Sequence, residues 1–214
     1  MSLLRVHQFC QTAELFDSGR VMLDKSILKL TALEIICSLC RLPNHMIACF
    51  DVHYFDTHAN AAAVIIEDWS DSDCVEKLCI RCDAPKEYIA GEFYRRELDP
   101  LKTIIASIDS QIQTCVIDAY CHLSADGKPG LGSYLHNELS DGGSIIGVAK
   151  NPFRDTKHAI ELMRGNSARP LFVTSIGIDY QTAAEHIKSM HGNHRIPTLL
   201  KMVDRLCRDG SDPP

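Results

Sequence analysis

A chain of 214 residues, 45% hydrophobic and 23% charged, has the size and balance of one globular domain able to cover a sheet on both faces. No apolar run reaches the ~20 residues of a membrane span; the start, MSLLRVHQFCQ, lacks an apolar core and a small-residue cleavage site, so no secretory signal is read and a cytoplasmic location is expected. The net charge of −6 counts against a simple nucleic-acid binder, although residues 144–214 hold ten Lys/Arg against seven Asp/Glu, a local +3 that leaves −9 elsewhere.

Residues 1–45 are the least readable. Residues 1–20 show no clean period, while 26–41 fit a helix with Leu28, Ala32, Ile35 and Leu39 on one face and Asp24 or Ser26 capping it. From His45 the pattern sharpens. HMIACFDV, ANAAAVIIEDW and CVEKLCIRC read as three strands separated by short polar turns, an antiparallel meander. Gly91 introduces a helix over roughly 92–109, with Phe93, Leu98, Leu101, Ile105 and Ile108 on its buried side. QTCVIDAY is a fourth strand, GLGSYLHNEL a short helix, SIIGVAK a buried strand and PLFVTSIG another. DYQTAAEHIKSMHG and IPTLLKMVDRLCR are the last helices, the second with Pro197 at its start.

A meander followed by helix–strand alternation predicts an α/β fold on one mixed sheet, antiparallel and parallel strands together, flanked by helices. The domain is expected over 46–207, after an N-terminal segment of partly helical character (1–45) and before a disordered tail (208–214).

Ten cysteines without a signal read as reduced core residues, since most lie inside apolar patterns. Cys37/Cys40 and Cys79/Cys82 have CxxC spacing. Neither pair has the Gly/Pro turn that wraps a zinc ion, so they fit an amphipathic segment and a strand better than a zinc site.

Three acids stand out: Asp51 in ACFDVHYF, Glu97 in GEFYRREL and Asp118 in TCVIDAYC. Two close apolar strands and the third lies on the helix between them. A carboxylate at the end of a core strand is costly unless a cation meets it. Taken singly, each could be an ordinary strand-end or surface acid. Converging, they suit Mg²⁺ or Mn²⁺, hard cations that favour oxygen, and the two-metal cleavage of a phosphodiester.

FDVHY, EYIAGEFYRRE, VIDAYCHLSADGKPGLGSYL, IIGVAKNPF and RPLFVTSIG, in this order, resemble the endonuclease V family over about residues 46–207. The resemblance implies a ribonuclease-H-like fold and metal-dependent hydrolysis of a phosphodiester 3′ to a deaminated purine (inosine or deoxyinosine) in DNA or RNA. It matches Asp51, Glu97 and Asp118 to the family's catalytic, metal-binding acids. Lys150 matches the lysine near the scissile phosphate, and Asp204 a position near the metal. Tyr88 and Ile89 match the wedge that separates strands, beside Gly91, whose lack of a side chain allows close approach. A nucleic-acid partner, a monomer and a role in DNA repair are expected with it.

The chain departs from the family in two places. Glu87 and Ala90 replace the wedge prolines. The glycine-bearing loop after the third acid becomes Asp118-Ala119-Tyr120-Cys121-His122-Leu123-Ser124-Ala125-Asp126-Gly127-Lys128-Pro129, with one residue inserted. His122 and Lys128 of this loop are candidates for nucleic-acid contact. The departures leave two alternatives open: a structure-directed nuclease with a diverged base pocket, or a catalytically weak homologue that binds nucleic acid or protein.

Overall fold

Apolar strands long enough to be buried on both faces need helices above and below them, and the chain supplies both layers. The computed structural model describes residues 46–83, 94–139, 143–153 and 157–210. β1 (Met46–Tyr54), β2 (Ala59–Ile66) and β3 (Glu76–Cys82) form the expected antiparallel meander. Helix α1 (Tyr94–Ile105) leads to β4 (Ile112–Ile117), which returns parallel to β1. Helix α2 (Leu131–Glu138) leads to β5 (Ser144–Ala149), parallel to β4. β6 (Ile160–Leu162) and β7 (Leu171–Ile176) extend the sheet antiparallel, and α3 (Tyr180–Ser189) and α4 (Thr198–Asp209) follow. The seven strands lie in the order β3-β2-β1-β4-β5-β7-β6.

The two-residue period of a strand divides its side chains between two cores. Cys49, Val64, Val116 and Ile146 pack against Ile187 of α3 and Val203 of α4. Phe50, Ile65, Cys115 and Ile117 pack on the other face against Ile104 of α1 and Leu135 of α2. All eight residues of β2 are buried; the one polar member, Asn60, donates its side-chain amide to the Cys207 carbonyl at 3.1 Å.

Several boundaries differ from expectation. α1 ends at Ile105, short of 109; Leu98, Ile105 and Ile108 are only partly buried, while Ile104 is fully enclosed. β6 was not anticipated, because three residues are too few to show a period. Pro197 stands just before α4, with extended ψ, rather than inside it, and α4 ends at Asp209, one residue beyond the expected Arg208. Gly210 closes that helix at φ 73°, a left-handed conformation suited to glycine, its N–H bonded to the Leu206 carbonyl. The sequence-predicted helix at 26–41, Cys37/Cys40 and residues 211–214 lie outside the described residues.

Cys79 and Cys82 sit on one strand three residues apart, so they face opposite ways: Cys79 packs on one core and Cys82 on the other. They cannot share an ion. Among the described residues no helix is long and apolar enough to cross a membrane.

Candidate active site

Strand register sets the geometry. β1 and β4 run parallel with Cys49 opposite Val116 and Phe50 opposite Ile117. The next residues, Asp51 and Asp118, therefore leave neighbouring strands side by side, and both line one small cavity with Lys150. Lys150 follows the last residue of β5, which lies beside β4 with Gly147 opposite Ile117. Its ammonium donates to Asp118 Oδ2 at 2.5 Å. The cavity has a volume of about 20 Å³, room for one water-sized occupant, over a floor that includes Val148, Leu171 and Val203.

Glu97 projects from the first turn of α1 and is 8% exposed. Burial, then the charges of Asp51 and Asp118, push its carboxyl up to about 8, with the nearby Tyr54 hydroxyl and the Arg96 charge opposing. Burial and the Asp118 charge push Asp51 up to about 7, with Lys150 opposing. Glu97 thus senses the charges of both aspartates, and Asp51 that of Asp118. Lys150 itself stays above its usual range: burial acts against it, but the hydrogen bond and charge of Asp118 prevail. Asp204, on α4, is gripped by Arg208 at 3.0 and 3.2 Å and held below the usual carboxylate range. Its charge is felt at Asp51, where it adds to the upward push on that carboxyl.

Pro100 anchors this arrangement in an unexpected way. Lacking an N–H, it leaves the Arg96 carbonyl without its helical partner. The Tyr54 hydroxyl donates to that carbonyl at 3.0 Å, and the Arg96 guanidinium lies 3.8 Å over the Tyr54 ring. The start of α1, and Glu97 with it, is thereby tied to β1 three residues beyond Asp51.

Among the described residues, no three His, Cys, Asp or Glu side chains are already gathered to hold an ion as they stand. The donor set nevertheless fits a hard divalent cation in kind, being all oxygen, and in charge, since burial raises half-buried Asp51 to about 7 and buried Glu97 to about 8, shifts that a nearby cation would oppose. Asp118 has its cation in Lys150.

The sequence model of the endonuclease V family matches residues 33–205. The chain belongs to the endonuclease V family. It is accordingly an endonuclease, a hydrolase of phosphodiester bonds. Solved endonuclease V structures share its ribonuclease-H-like fold. Endonuclease V from Bacillus subtilis superimposes with a TM-score of 0.64 at 15% identity, over 91% of this chain and 95% of that one. The catalytic domain of human endonuclease V gives 0.64 at 16%, over 87% and 96%. Ciona intestinalis endonuclease V, in complex with a 23mer DNA containing an inosine followed by a ribo-adenosine, gives 0.64 at 16%, over 88% and 98%. At these identities the likeness establishes the fold alone. No match to the chain is found among curated proteins.

In this endonuclease V the altered loop after Asp118 is pressed against glycines. A Cβ on Gly147 would lie 2.3 Å from the Ala119 carbonyl oxygen, and one on Gly130 2.4 Å from that of Tyr120. The Cys121 amide donates to the buried Thr174 hydroxyl at 2.8 Å. Gly147→Ala must therefore move backbone next to Asp118. It is expected to cost about 1–3 kcal/mol in denaturant unfolding and to lower turnover in the remaining folded protein. Unchanged stability would show that the loop yields.

A second cavity of about 550 Å³ opens beside the same Asp118 and Lys150. Its walls include Tyr94 and Tyr134, stacked at 3.7 Å between ring centroids, together with Tyr120 and Phe153. Lys128 lines it, as a nucleic-acid contact could. His122 lines neither cavity; its Nδ1 meets the Tyr180 hydroxyl at 2.9 Å, and burial with the nearby His158 lowers its pKa. Tyr88, Ile89 and Gly91 lie outside the described residues. Sequence reasoning missed Tyr54, Arg96, Tyr94, Tyr134 and Phe153. The proline four residues after Arg96 was the available signal for the first pair; the tyrosines come from separate helices and show no linear pattern.

Proposed function

We propose that the chain hydrolyses a phosphodiester 3′ to a deaminated purine, inosine or deoxyinosine, in DNA or RNA, with Mg²⁺ or Mn²⁺. The observation that carries this reading is the in-register exit of Asp51 and Asp118 from adjacent parallel strands, with Glu97 electrostatically joined to both. Family membership and the inosine-containing DNA bound by the Ciona protein support the substrate class.

Asp51, Glu97, Asp118 and Asp204 are the residues that would hold the cation. When bound, a divalent ion supplies an acidified water and a counter-charge for the leaving oxygen. Lys150 passes from Asp118 to the substrate phosphate, an exchange of one anion for another that leaves its ammonium charge paired throughout. Lys128 meets the strand beyond, His122 supports the loop that carries it, and Tyr88 and Ile89, beside Gly91, part the strands. Residues 46–207 form the catalytic domain, acting as a monomer in the cytoplasm on damaged nucleic acid.

A nicking assay tests the proposal. Single strands, duplexes and RNA carrying one inosine, each with an unmodified control, are incubated with Mg²⁺ or Mn²⁺. Cleavage that depends on the metal and yields 3′-hydroxyl and 5′-phosphate ends is expected. Cutting that persists in chelator, or none with either metal, would contradict it.

A further inference from the structure

We infer that the Asn151 carboxamide reads the base, pairing with its Watson–Crick edge in the cavity beside Asp118 and Lys150. The inference rests on the nuclease reading above and adds a specificity-determining residue to it.

The cavity of about 550 Å³ has room for a two-ring base and shares Asp118 and Lys150 with the candidate active site. A nucleotide whose phosphate meets Lys150 can therefore turn its base into this space. An extruded base is read by stacking and by hydrogen bonds to its Watson–Crick edge. Tyr120 and Phe153 supply aromatic surface in the wall. Stacking alone accepts every base, because every base has a π-face. Choice needs a polar group, and Asn151 stands among the lining residues.

The backbone of Asn151 is held in place. It lies just beyond the end of β5, and its carbonyl accepts from the Tyr120 hydroxyl at 2.8 Å. Tyr120 is buried and packs with Ala149, Ala159 and Phe172, so the anchor is itself fixed. Pro152 follows, and a residue before proline is biased to extended conformations.

The side chain, by contrast, is uncommitted. Asn151 is exposed, and its carboxamide hydrogen-bonds to none of the described residues. A carboxamide is neutral and offers donor and acceptor side by side. The N1–H and O6 of hypoxanthine are the complementary pair, so two parallel hydrogen bonds can close between them. Because the amide can turn over, Asn151 tests for an intact edge of either polarity. It rejects purine, which lacks the 6-substituent, and 1-methylhypoxanthine, whose N1 is blocked. Lys128 and Lys150 in the same wall carry full charges that suit phosphate oxygens better than a neutral edge.

A good bidentate pair discriminates by about 10–100-fold. Single strands carrying hypoxanthine, purine or 1-methylhypoxanthine at one position would be cut with Mn²⁺ by the parent and by Asn151→Leu. The leucine keeps the size and removes both polar atoms. The parent is expected to favour hypoxanthine over either analogue by about 10–100-fold in kcat/KM. In Asn151→Leu that preference should disappear. A residue that merely shaped the loop would lower all three rates together and leave their ratio at the parental value, which would overturn the inference. A parent indifferent to the three bases would overturn it too.

The same ratio, read in binding, separates this inference from the nuclease reading. Labelled strands with hypoxanthine or purine, titrated in chelator and followed by anisotropy, should show the parent's preference and its loss in Asn151→Leu. No cleavage of any strand, with the binding preference still lost in the variant, would remove the nuclease reading and keep the base contact. Cleavage by both proteins with an unchanged preference would do the reverse.

Discussion

Asp118→Asn is expected to fold normally and to lose about 10³-fold in single-turnover cleavage. The substitution preserves shape and removes the charge that holds the Lys150 ammonium and couples to Asp51 and Glu97. Because nucleic acid is itself an anion, deleting a carboxylate should not weaken binding of the strand. The loss should therefore fall on kcat while KM for the oligonucleotide stays level or improves. A variant retaining turnover within about tenfold of the parent would remove Asp118 from the chemistry.

The second large effect is on stability, and its sign follows from the raised carboxyls. Unfolded Asp and Glu titrate near 4, roughly; in the fold Asp51 is pushed up to about 7 and Glu97 up to about 8. An acid raised in this way favours folding while protonated. Its contribution is complete below the unfolded pKa and is lost as pH rises through the folded one. Without divalent cation, the denaturation midpoint should fall as pH rises from about 4 to about 8, from the unfolded values to the raised ones. Asp51→Asn and Glu97→Gln should flatten that profile and, at its alkaline end, exceed the parent by an amount of the order of a few kcal/mol. Added Mn²⁺ should restore the parent at high pH and do little for either variant. A parental midpoint that is level across the window would show that neither carboxyl is held protonated.

The distinction between legible and illegible parts follows the range of the signal. β1, β2, β5 and β7 were readable because burial on both faces leaves a predominantly apolar run in one local stretch. The meander was readable because polar stretches separate its apolar runs, briefly between β1 and β2 and over residues 67–75 between β2 and β3. Asp51 and Asp118 stood out by the same local logic, as charges ending such runs. What escaped depends on residues distant in sequence. The Tyr54–Arg96 contact joins a strand to a helix across 42 positions, and the cavity wall of Tyr94 and Tyr134 comes from two different helices. The Lys150–Asp118 pair spans 32 positions; resemblance placed Lys150 near a phosphate, and only the fold shows which acid it meets first. The Cys79/Cys82 spacing, which could pass for a metal motif, is decided by the extended backbone between its members.

The matched exits of β1 and β4 also constrain how this lineage can change in length. A single residue added to or removed from either strand would rotate one aspartate through the sheet, into the packing under α1 and α2, and abolish the pairing at a stroke. Residues added at the exposed tip, Ala125 to Gly127, beyond the contacts that Ala119, Tyr120 and Cys121 make with Gly147, Gly130 and Thr174, leave both aspartates where they are. Drift is therefore free to remodel what the enzyme grasps while the machinery that cuts stays in frame.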